Sequence, residues 1–343
     1  MPEGHSIRRL ALAFSEWFVG HACDTSSPQG RFALGAARLN GMTMVDAQSV
    51  GKHLFLEFGS GDRAGAETTR APLWLHVHLG LYGSWRFYGS PGTSVTPSIG
   101  APRLPDVLAS DSDMHEDAGG DAFEMVRLAS EVGPRSNEGI RLSEDFGIDN
   151  GHWSPPPPRG AVRLRIVTET VAADLTGPTQ CEVLDAAGVE VVLGRLGPDP
   201  LDDESPAERL RSEFVGRVRG SRRPVGELVM DQSVVAGVGN IYRAEGLFRG
   251  GISPFRRGNN VSEKRLRSLW DDFVVLLDDG VRRGNIYTVI PDWHSAEIVV
   301  EDDEAEKWFV YKRDGKPCLV CGTPVRTRVM QGRNLFWCPS CQR

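Results

Sequence analysis

The residues that follow the initiator methionine carry a group that could act as a nucleophile. Removal of Met1, which a small second residue favours, leaves Pro2 with a free secondary amine. An α-amine titrates near ~8, and the positive end of a helix that begins here would disfavour its protonated form. A secondary amine that attacks a sugar carbon forms a cationic iminium, which is an electron sink for elimination, and Glu3 could move the protons. Without further motifs, this start indicates only an ordinary chain terminus.

Four cysteines near the C-terminus have the spacing of a metal site. Cys318 and Cys321 form one CxxC pair, Cys338 and Cys341 form a second, and 16 residues separate the pairs. Four thiolates make a closed tetrahedral zinc site, which is structural rather than catalytic. The sequence therefore predicts one structural Zn²⁺ ion. Because the cysteines cluster instead of spreading along the chain, a reducing compartment is favoured over a disulfide framework.

A glycine-rich turn offers a candidate anion site. Residues 237–240 have the sequence Gly-Val-Gly-Asn and precede a predicted helix. A dinucleotide-binding turn must follow a strand, whereas a helix is predicted before this one. The free N–H groups at the start of the next helix can hold a phosphate, and Asn240 would add an uncharged amide. Helix packing without any ligand remains an equal alternative.

The hydrophobic pattern predicts the elements that carry these groups. Helical spacing indicates helices over residues 4–19, 206–218, 224–232, 240–248 and 262–279. Alternating apolar residues indicate antiparallel strands over 52–58, 73–79, 83–88 and 161–168, and two more between 181 and 193. His76 and His78 share one face of the second strand. Two histidines without further ligands seldom bind a metal, so a structural role is expected for both.

The charge distribution indicates a nucleic-acid partner despite the net charge of −7. Residues 91–160 hold 12 acidic and 5 basic side chains, so the rest of the chain is neutral overall. Residues 205–257 contain 10 arginines and 5 acids, and residues 307–343 contain 8 basic side chains and one acid. Basic surface is thus concentrated in the C-terminal half, as binding to a polyanion requires.

Residues 90–160, here called the acidic segment, interrupt the pattern of strands. The segment is rich in Pro, Gly, Ser and Asp, which predicts a disordered or loosely packed insertion with at most a short helix near 121–131. No apolar run is long enough to span a membrane, and the chain start lacks the apolar region of a secretory signal. We therefore expect a cytoplasmic protein.

Five motifs in the same order resemble the formamidopyrimidine-DNA glycosylase/endonuclease VIII family of bacterial base-excision repair enzymes. They are Pro2-Glu3-Gly4; Gly51-Lys52-His53-Leu54; His78-Leu79-Gly80-Leu81-Tyr82-Gly83; Asp231-Gln232 followed by Ala236-Gly237-Val238-Gly239-Asn240; and Arg313-Asp314-Gly315 running into Cys318, with Arg333 five residues before Cys338. The resemblance covers nearly the whole chain except about 90–160.

The resemblance implies an α+β multidomain fold. Residues 2–196 would form an antiparallel β-sandwich with an N-terminal helix, residues 198–295 a helix–two-turn–helix domain, and residues 308–343 a zinc-finger β-hairpin. It also implies a monomer that binds double-stranded DNA containing oxidised bases or abasic sites, in the bacterial cytoplasm at the nucleoid.

The resemblance assigns three residues to catalysis. Pro2 would be the Schiff-base nucleophile, and Glu3 the general acid and base at the sugar. Lys52 would contact the DNA phosphate beside the lesion and support catalysis. Glu245, on the helix after the glycine-rich turn, would either face this site or be a surface charge.

Four further residues are implied to bind DNA. Asn240 and Arg333 would hold the phosphates that flank the flipped nucleotide. Leu81, together with Tyr82, would fill the gap left by the extruded base, because base extrusion costs a few kcal/mol and an apolar wedge offsets it.

The preferred lesion is predicted from two positions. The 8-oxoguanine branch of the family typically has Met in the wedge strand and an Arg-Phe pair in a later loop. This chain has Leu81-Tyr82, and its residues 174–181 contain no such pair. Both points resemble the endonuclease VIII branch, which favours oxidised pyrimidines such as thymine glycol and dihydrouracil. Gly80, however, replaces a glutamine often found in that branch.

The sequence thus predicts a bifunctional DNA glycosylase and abasic-site lyase that cleaves the strand by β,δ-elimination. A non-catalytic protein that binds damaged DNA or abasic sites is the alternative. The Pro2-Glu3 pair favours the enzyme, because a binding module has no need for that amine. A zinc-ribbon transcription factor would leave the N-terminal half unexplained.

Overall fold

A computed structural model describes residues 2–59, 71–101, 148–149, 152–293, 295 and 302–343. The helix predicted near 121–131 lies outside the described residues, as does most of the acidic segment. The described start of that segment is not loosely packed, because Ile99 pairs with Trp85 and is only 5% exposed.

The N-terminal half is an antiparallel β-sandwich, as predicted. Its described strands are β1 (Ala22–Ser26), β2 (Met42–Val50), β3 (His53–Gly59), β4 (Leu73–His78), β5 (Ser84–Gly89), β6 (Ser98–Gly100), β7 (Ile148–Asp149), β8 (His152–Trp153), β9 (Val162–Val167), β10 (Val171–Thr176) and β11 (Gln180–Leu184). Nine of them follow the order β11-β4-β3-β2-β1-β9-β10-β5-β6, and β7 pairs with β8 separately. The first residues of β1 pair with β2 and the last with β9, so β1 joins the two halves. Both halves contribute to one apolar core, which indicates that they face each other.

Two helices pack on the sandwich, α1 (Gly4–Trp17) and α2 (Ala33–Leu39). Ile7, Leu10 and Phe14 lie on one face of α1 and are buried, and Phe14 lies edge-on to Trp85 with 4.9 Å between the ring centres. The same helix also contacts a helix of the second domain. The chain start is therefore placed at the junction of the two domains.

Two strands are predicted between residues 181 and 193, and the prediction of the second one is wrong. Residues 180–184 form β11, but α3 (Ala186–Leu193) follows. The Asp185 carboxylate accepts a hydrogen bond from the Gly188 amide at 2.8 Å, which caps the first turn of this helix. The valine-rich composition resembles a strand, but the cap selects a helix.

The C-terminal half is helical and carries a small hairpin. Its elements are α4 (Ala207–Arg219), α5 (Val225–Leu228), α6 (Asn240–Arg249), α7 (Glu263–Arg283), β12 (Arg326–Met330) and β13 (Arg333–Trp337). One apolar core contains side chains of these helices together with Phe309, Leu319 and Phe336 of the C-terminal region. The hairpin thus packs on the helices instead of standing apart. Among the described residues, no helix combines the length and apolarity needed to cross a bilayer.

Candidate active site

The carboxylate of Glu3 lies at the N-terminus of α6. Glu3 is fully buried, and its two oxygens accept hydrogen bonds from the amides of Gly239 (3.0 Å), Ile241 (2.9 Å) and Tyr242 (3.4 Å). These are the amides that a helix start leaves without intrahelical partners, and the helix dipole favours a negative charge there. Of the two alternatives for this turn, its amides thus hold a carboxylate of the chain itself and not a phosphate.

Glycines allow the chain start to approach this turn closely. The Gly4 amide donates to the Gly237 carbonyl at 2.9 Å, and Gly237 has a positive φ of 85°. A Cβ at Gly239 would lie 2.3 Å from Cδ of Glu3. Only glycine fits at position 239 while Glu3 keeps its place, so the glycine-rich sequence is explained by packing against Glu3.

Lys52 lies in the turn between β2 and β3 and belongs to the same group of charges. Its side chain is half-buried. Burial lowers the pKa of the Lys52 ammonium to about 8; the nearby Glu3 carboxylate raises this pKa, and the guanidinium groups of Arg333 and Arg243 lower it. Three cations, Lys52, Arg243 and Arg333, therefore lie around the carboxylate of Glu3. They come from the β2–β3 turn, from α6 and from β13.

Asn240 connects α6 to the C-terminal hairpin. Its side-chain amide donates to the Asn334 carbonyl at 3.0 Å, and its side-chain oxygen accepts a hydrogen bond from Arg243. Arg333 is the first residue of β13 and is partly exposed. Both predicted phosphate contacts therefore lie next to each other, although about 90 residues separate them in the sequence.

Arg243 is a member of this group that sequence reasoning missed. It is fully buried, and no ion pair joins it to a carboxylate among the described residues. Burial lowers its pKa to about 10, and the positive charge of Arg333 acts in the same direction. The available signal was its position one turn after Asn240 on a predicted helix, which places both side chains on one face.

Leu81 and Tyr82 lie in the exposed turn between β4 and β5, not within a strand. Tyr82 is 81% exposed and Leu81 is 41% exposed. Gly80, with a φ of +66°, directs the chain into this turn. Exposed apolar side chains at a tight turn are what an intercalating wedge requires.

Glu245 neither faces the catalytic group nor lies on the surface, so both expectations for it are wrong. It is fully buried, and its carboxylate accepts hydrogen bonds from the amides of Phe309 (2.8 Å), Val310 (2.9 Å) and Tyr311 (2.8 Å) and from the Thr288 hydroxyl (2.6 Å). It ties α6 to the segment that leads into the cysteine cluster.

The two histidines expected to be structural have partners within the protein. His76 is buried and lies between His53 and Glu182, with ring nitrogens 2.8 Å from His53 and 2.9 Å from the Glu182 carboxylate. His78 accepts a hydrogen bond from the Gly80 amide at 3.2 Å. Burial lowers the pKa of His78 to about 4, aided by the charges of Lys52 and His76.

The four cysteines converge as a metal site requires. The sulfurs of Cys318 and Cys341 are 3.9 Å apart, those of Cys321 and Cys338 are 3.5 Å apart, and all four lie within 4.8 Å of one another. Tetrahedral zinc with bonds of about 2.3 Å places sulfurs about 3.8 Å apart. The donor set therefore fits a structural zinc ion.

Two family models match the C-terminal half of the chain. The formamidopyrimidine-DNA glycosylase H2TH domain matches residues 196–291, and the zinc finger found in FPG and IleRS matches residues 315–343. Both matches agree with the helices and the cysteine cluster described above.

Full-length relatives cover the N-terminal half as well. The chain is 37% identical to proteins named "Endonuclease 8 1" from Mycobacterium tuberculosis and Mycobacterium bovis over 343 residues, which is 100% of both chains. It is 40% identical to a formamidopyrimidine-DNA glycosylase of Stenotrophomonas maltophilia over 46% of this chain and 56% of that protein.

Solved structures show the same fold. Lactococcus lactis Fpg in complex with DNA containing an abasic site has a TM-score of 0.62 and 18% identity, with 99% of each chain covered. Thermus thermophilus MutM (Fpg) has a TM-score of 0.62 and 22% identity, covering 99% of this chain and 98% of that one.

Proposed function

The chain belongs to the formamidopyrimidine-DNA glycosylase/endonuclease VIII family, and from that premise we propose that it is a bifunctional DNA glycosylase and abasic-site lyase of base-excision repair. The observation that carries the proposal is the environment of Glu3. This carboxylate is held beside the chain start by the amides of α6, with Lys52 and two arginines around it. A nucleophile, a proton-transfer group and cations for phosphate are therefore neighbours.

In the proposed reaction the amine of Pro2 attacks C1′ of the damaged nucleotide. The bond from C1′ to the base breaks, and the base leaves with a proton. Opening of the sugar ring gives an iminium between C1′ and the proline nitrogen. This cation accepts the electron pair released when C2′ loses a proton, so the 3′ phosphate is eliminated, and a second elimination releases the 5′ phosphate. Glu3 moves the protons at the sugar.

Side chains bind the phosphates in this proposal, because the amides at the start of α6 already donate their hydrogen bonds to Glu3. The Asn240 amide group has two N–H donors; it bonds to the Asn334 carbonyl and to Tyr311, and a phosphate would take over one of these donors. Arg333 and Lys52 supply positive charge on either side. Leu81 and Tyr82 fill the gap in the base stack, and their exposure in the free protein supports this role.

Oxidised pyrimidines are the proposed substrates, together with abasic sites in double-stranded DNA. The Leu81-Tyr82 pair supports this preference, as does the full-length similarity to proteins named Endonuclease 8 1. We further propose a monomer at the bacterial nucleoid with one structural zinc ion, built from a catalytic domain (2–196), a DNA-binding domain (198–295) and a zinc finger (308–343).

Borohydride trapping on DNA with an abasic site tests the proposal. The wild type should form a covalent adduct after reduction of the iminium, with the DNA attached to an N-terminal proline in mass spectrometry. Pro2→Gly removes the secondary amine, and Glu3→Gln removes the proton-transfer group, so we expect base excision to fall at least ~100-fold in each.

The alternative function, that of a non-catalytic DNA-binding protein, predicts a different result in the trapping experiment. A non-catalytic binder would hold the abasic duplex without forming any adduct or incising the strand. A panel of thymine glycol, dihydrouracil and 8-oxoguanine duplexes then tests the lesion preference; faster excision of 8-oxoguanine than of both pyrimidines would contradict it. Thermal unfolding of both variants controls for loss of folding.

A further inference from the structure

Four stretches of main chain meet beneath the candidate active site. They contain Gly4 from the chain start, Gly51 from the Lys52 turn, Asp199 from the segment between α3 and α4 (residues 194–206, here called the linker), and Gly237 from the turn before α6. A Cβ at Gly51 would lie 2.9 Å from the Gly237 nitrogen, and a Cβ at Gly237 would lie 3.6 Å from Oδ1 of Asp199. The segments that carry Glu3, Lys52 and Asn240 therefore rest directly on one another.

Asp199 contributes a carboxylate to this junction. Its Oδ2 accepts a hydrogen bond from the Gly51 amide at 2.6 Å, and its Oδ1 accepts one from the Leu201 amide at 2.9 Å. The Asp199 side chain is 8% exposed. The preceding Pro198 carbonyl accepts a hydrogen bond from the Ala236 amide at 3.0 Å, which fixes the linker to the helical domain. Asp199 thus anchors the turn before Lys52 to the domain that carries Asn240.

The Gly51 anchor matters because the backbone there is unusual. Gly51 has a positive φ of 59°, and β2 ends one residue earlier. A two-residue turn between β2 and β3 leaves the Lys52 position dependent on how Gly51 is held. A hydrogen bond that a carboxylate accepts is stronger than one between neutral groups, so this anchor is stiff while Asp199 is ionised.

The surroundings of Asp199 place its titration within the range of an enzyme assay. Burial raises the pKa of Asp199 to about 6; the amide hydrogen bonds oppose this, Asp202 raises it further and Arg8 lowers it. A cavity of about 540 Å³ opens beside the carboxylate. Its charged lining comes from α1, β2, the linker and α4, through Arg8, Asp46, Asp202, Asp203, Glu204, Arg209 and Glu213.

We propose that Asp199 is a positioning residue for Lys52, which holds the Lys52 turn against the helical domain through the Gly51 amide. The proposal rests on the proposed function, in which Lys52 contacts a DNA phosphate beside the lesion. In this proposal Asp199 does not contact the substrate. It acts through the turn, so that loss of its negative charge lets Lys52 move relative to Glu3 without removing any group that contacts the substrate.

Asp199→Asn in the full-length protein tests this role, because the change keeps the side-chain shape and removes the charge. We expect the single-turnover rate of strand incision at an abasic site to fall roughly 10- to 100-fold, since small misplacements in an active site cost about that much. DNA affinity should change little. Asp203→Asn is the matched control, because Asp203 lies in the same linker but is exposed and pairs with Arg8 at 2.9 Å.

The pH profile separates positioning from a general loss of stability. In the wild type the incision rate should fall as the pH drops through about 6, where the Asp199 carboxylate takes up a proton. Asp199→Asn should lack this fall near pH 6, keep only the decline that protonation of the Pro2 amine causes, and remain slow at every pH. An unchanged rate and an unchanged acid limb in Asp199→Asn would overturn the proposal.

Hydrogen exchange of the Gly51 amide gives a readout that does not depend on activity. We expect the Gly51 amide to exchange faster in Asp199→Asn than in the wild type and in Asp203→Asn. Equal protection of this amide in all three proteins would also overturn the proposal that Asp199 holds the turn. If the wild type formed no borohydride adduct, the proposed function would fail. The exchange experiment would still decide whether Asp199 holds the turn.

Discussion

Glu3 shows how one carboxylate can be placed for proton transfer without a charged partner side chain. Three amides at the start of α6 hold its two oxygens, and no lysine or arginine among the described residues forms an ion pair with it. Amides fix the position of the carboxylate without a second charge that must also be desolvated. The position of the Glu3 carboxylate therefore does not depend on an ion pair with Lys52 or with the nearby arginines.

Lys52 leads to a prediction at the residue scale. If its ammonium contacts a phosphate, strand incision should decline as the pH rises through about 8, where Lys52 loses its proton. Lys52→Arg keeps the charge at all such pH values, because a guanidinium titrates above ~12. We expect this variant to incise about tenfold more slowly but without the alkaline decline.

Rates of incision on abasic DNA between about pH 6 and 10 provide the measurement. An alkaline decline of the same size in Lys52→Arg and the wild type would show that another group causes it. Lys316→Arg, on the surface of the C-terminal region, controls for the general effect of the substitution.

At the scale of elements, α6 organises the site. Its first amides hold Glu3, its first residue Asn240 bonds to β13, and Glu245 in its middle holds the segment 309–311. Arg243 lies between them and is buried. A helix supports this arrangement because residues three or four apart lie on the same face. One element therefore links the chain start, the helical core and the C-terminal hairpin.

The approach of Glu3 to α6 predicts opposite results for two glycines. Gly239→Ala would place a methyl group 2.3 Å from Cδ of Glu3, so the carboxylate must move. We expect incision to fall about 100-fold or more. Gly216→Ala, in α4, meets nothing within 4 Å and should leave activity unchanged while stabilising the protein by about 0.5–1 kcal/mol.

Incision assays and thermal unfolding of both alanine variants make the comparison. The interpretation of Gly239 would be wrong if its alanine variant incised DNA at the wild-type rate.

At the scale of the whole molecule, the C-terminal hairpin is part of the helical domain's core. Phe309 stacks on Phe248 with 4.8 Å between ring centres, and Arg313 is buried in an ion pair with Asp302 at 3.1 Å. Glu245 adds hydrogen bonds to three consecutive amides. The position of Arg333 therefore depends on contacts well outside the cysteine cluster.

Glu245→Ala should destabilise the protein by at least ~3 kcal/mol, because three buried amides lose their acceptor at about 1–3 kcal/mol each. Glu213→Ala is the control. It removes a partly exposed pair with Arg217, and such surface pairs contribute at most about 1 kcal/mol. Chemical denaturation of the zinc-loaded proteins measures both changes. Equal stabilities of the two variants would contradict the structural role of Glu245.

Five of the seven described α-helices, five strands of the sandwich, the cysteine cluster and the five family motifs could be identified from the sequence, because each is a local pattern. Periodicity places apolar residues on one face, and a CxxC pair specifies its own geometry. Each of these patterns is made by residues that are close together in the sequence. The sequence therefore determined the fold class, the metal donors and the family.

The tertiary structure decided which groups meet. Glu3 and Ile241 are 238 residues apart, Gly51 and Asp199 are 148 apart, and Glu245 and Tyr311 are 66 apart. No local pattern indicates that a carboxylate will satisfy distant amides, because the contact forms only when two domains pack. For this reason the sequence leaves phosphate binding and ligand-free packing as equal alternatives for the glycine-rich turn, misassigns Glu245, and does not reveal the roles of Arg243 and Asp199.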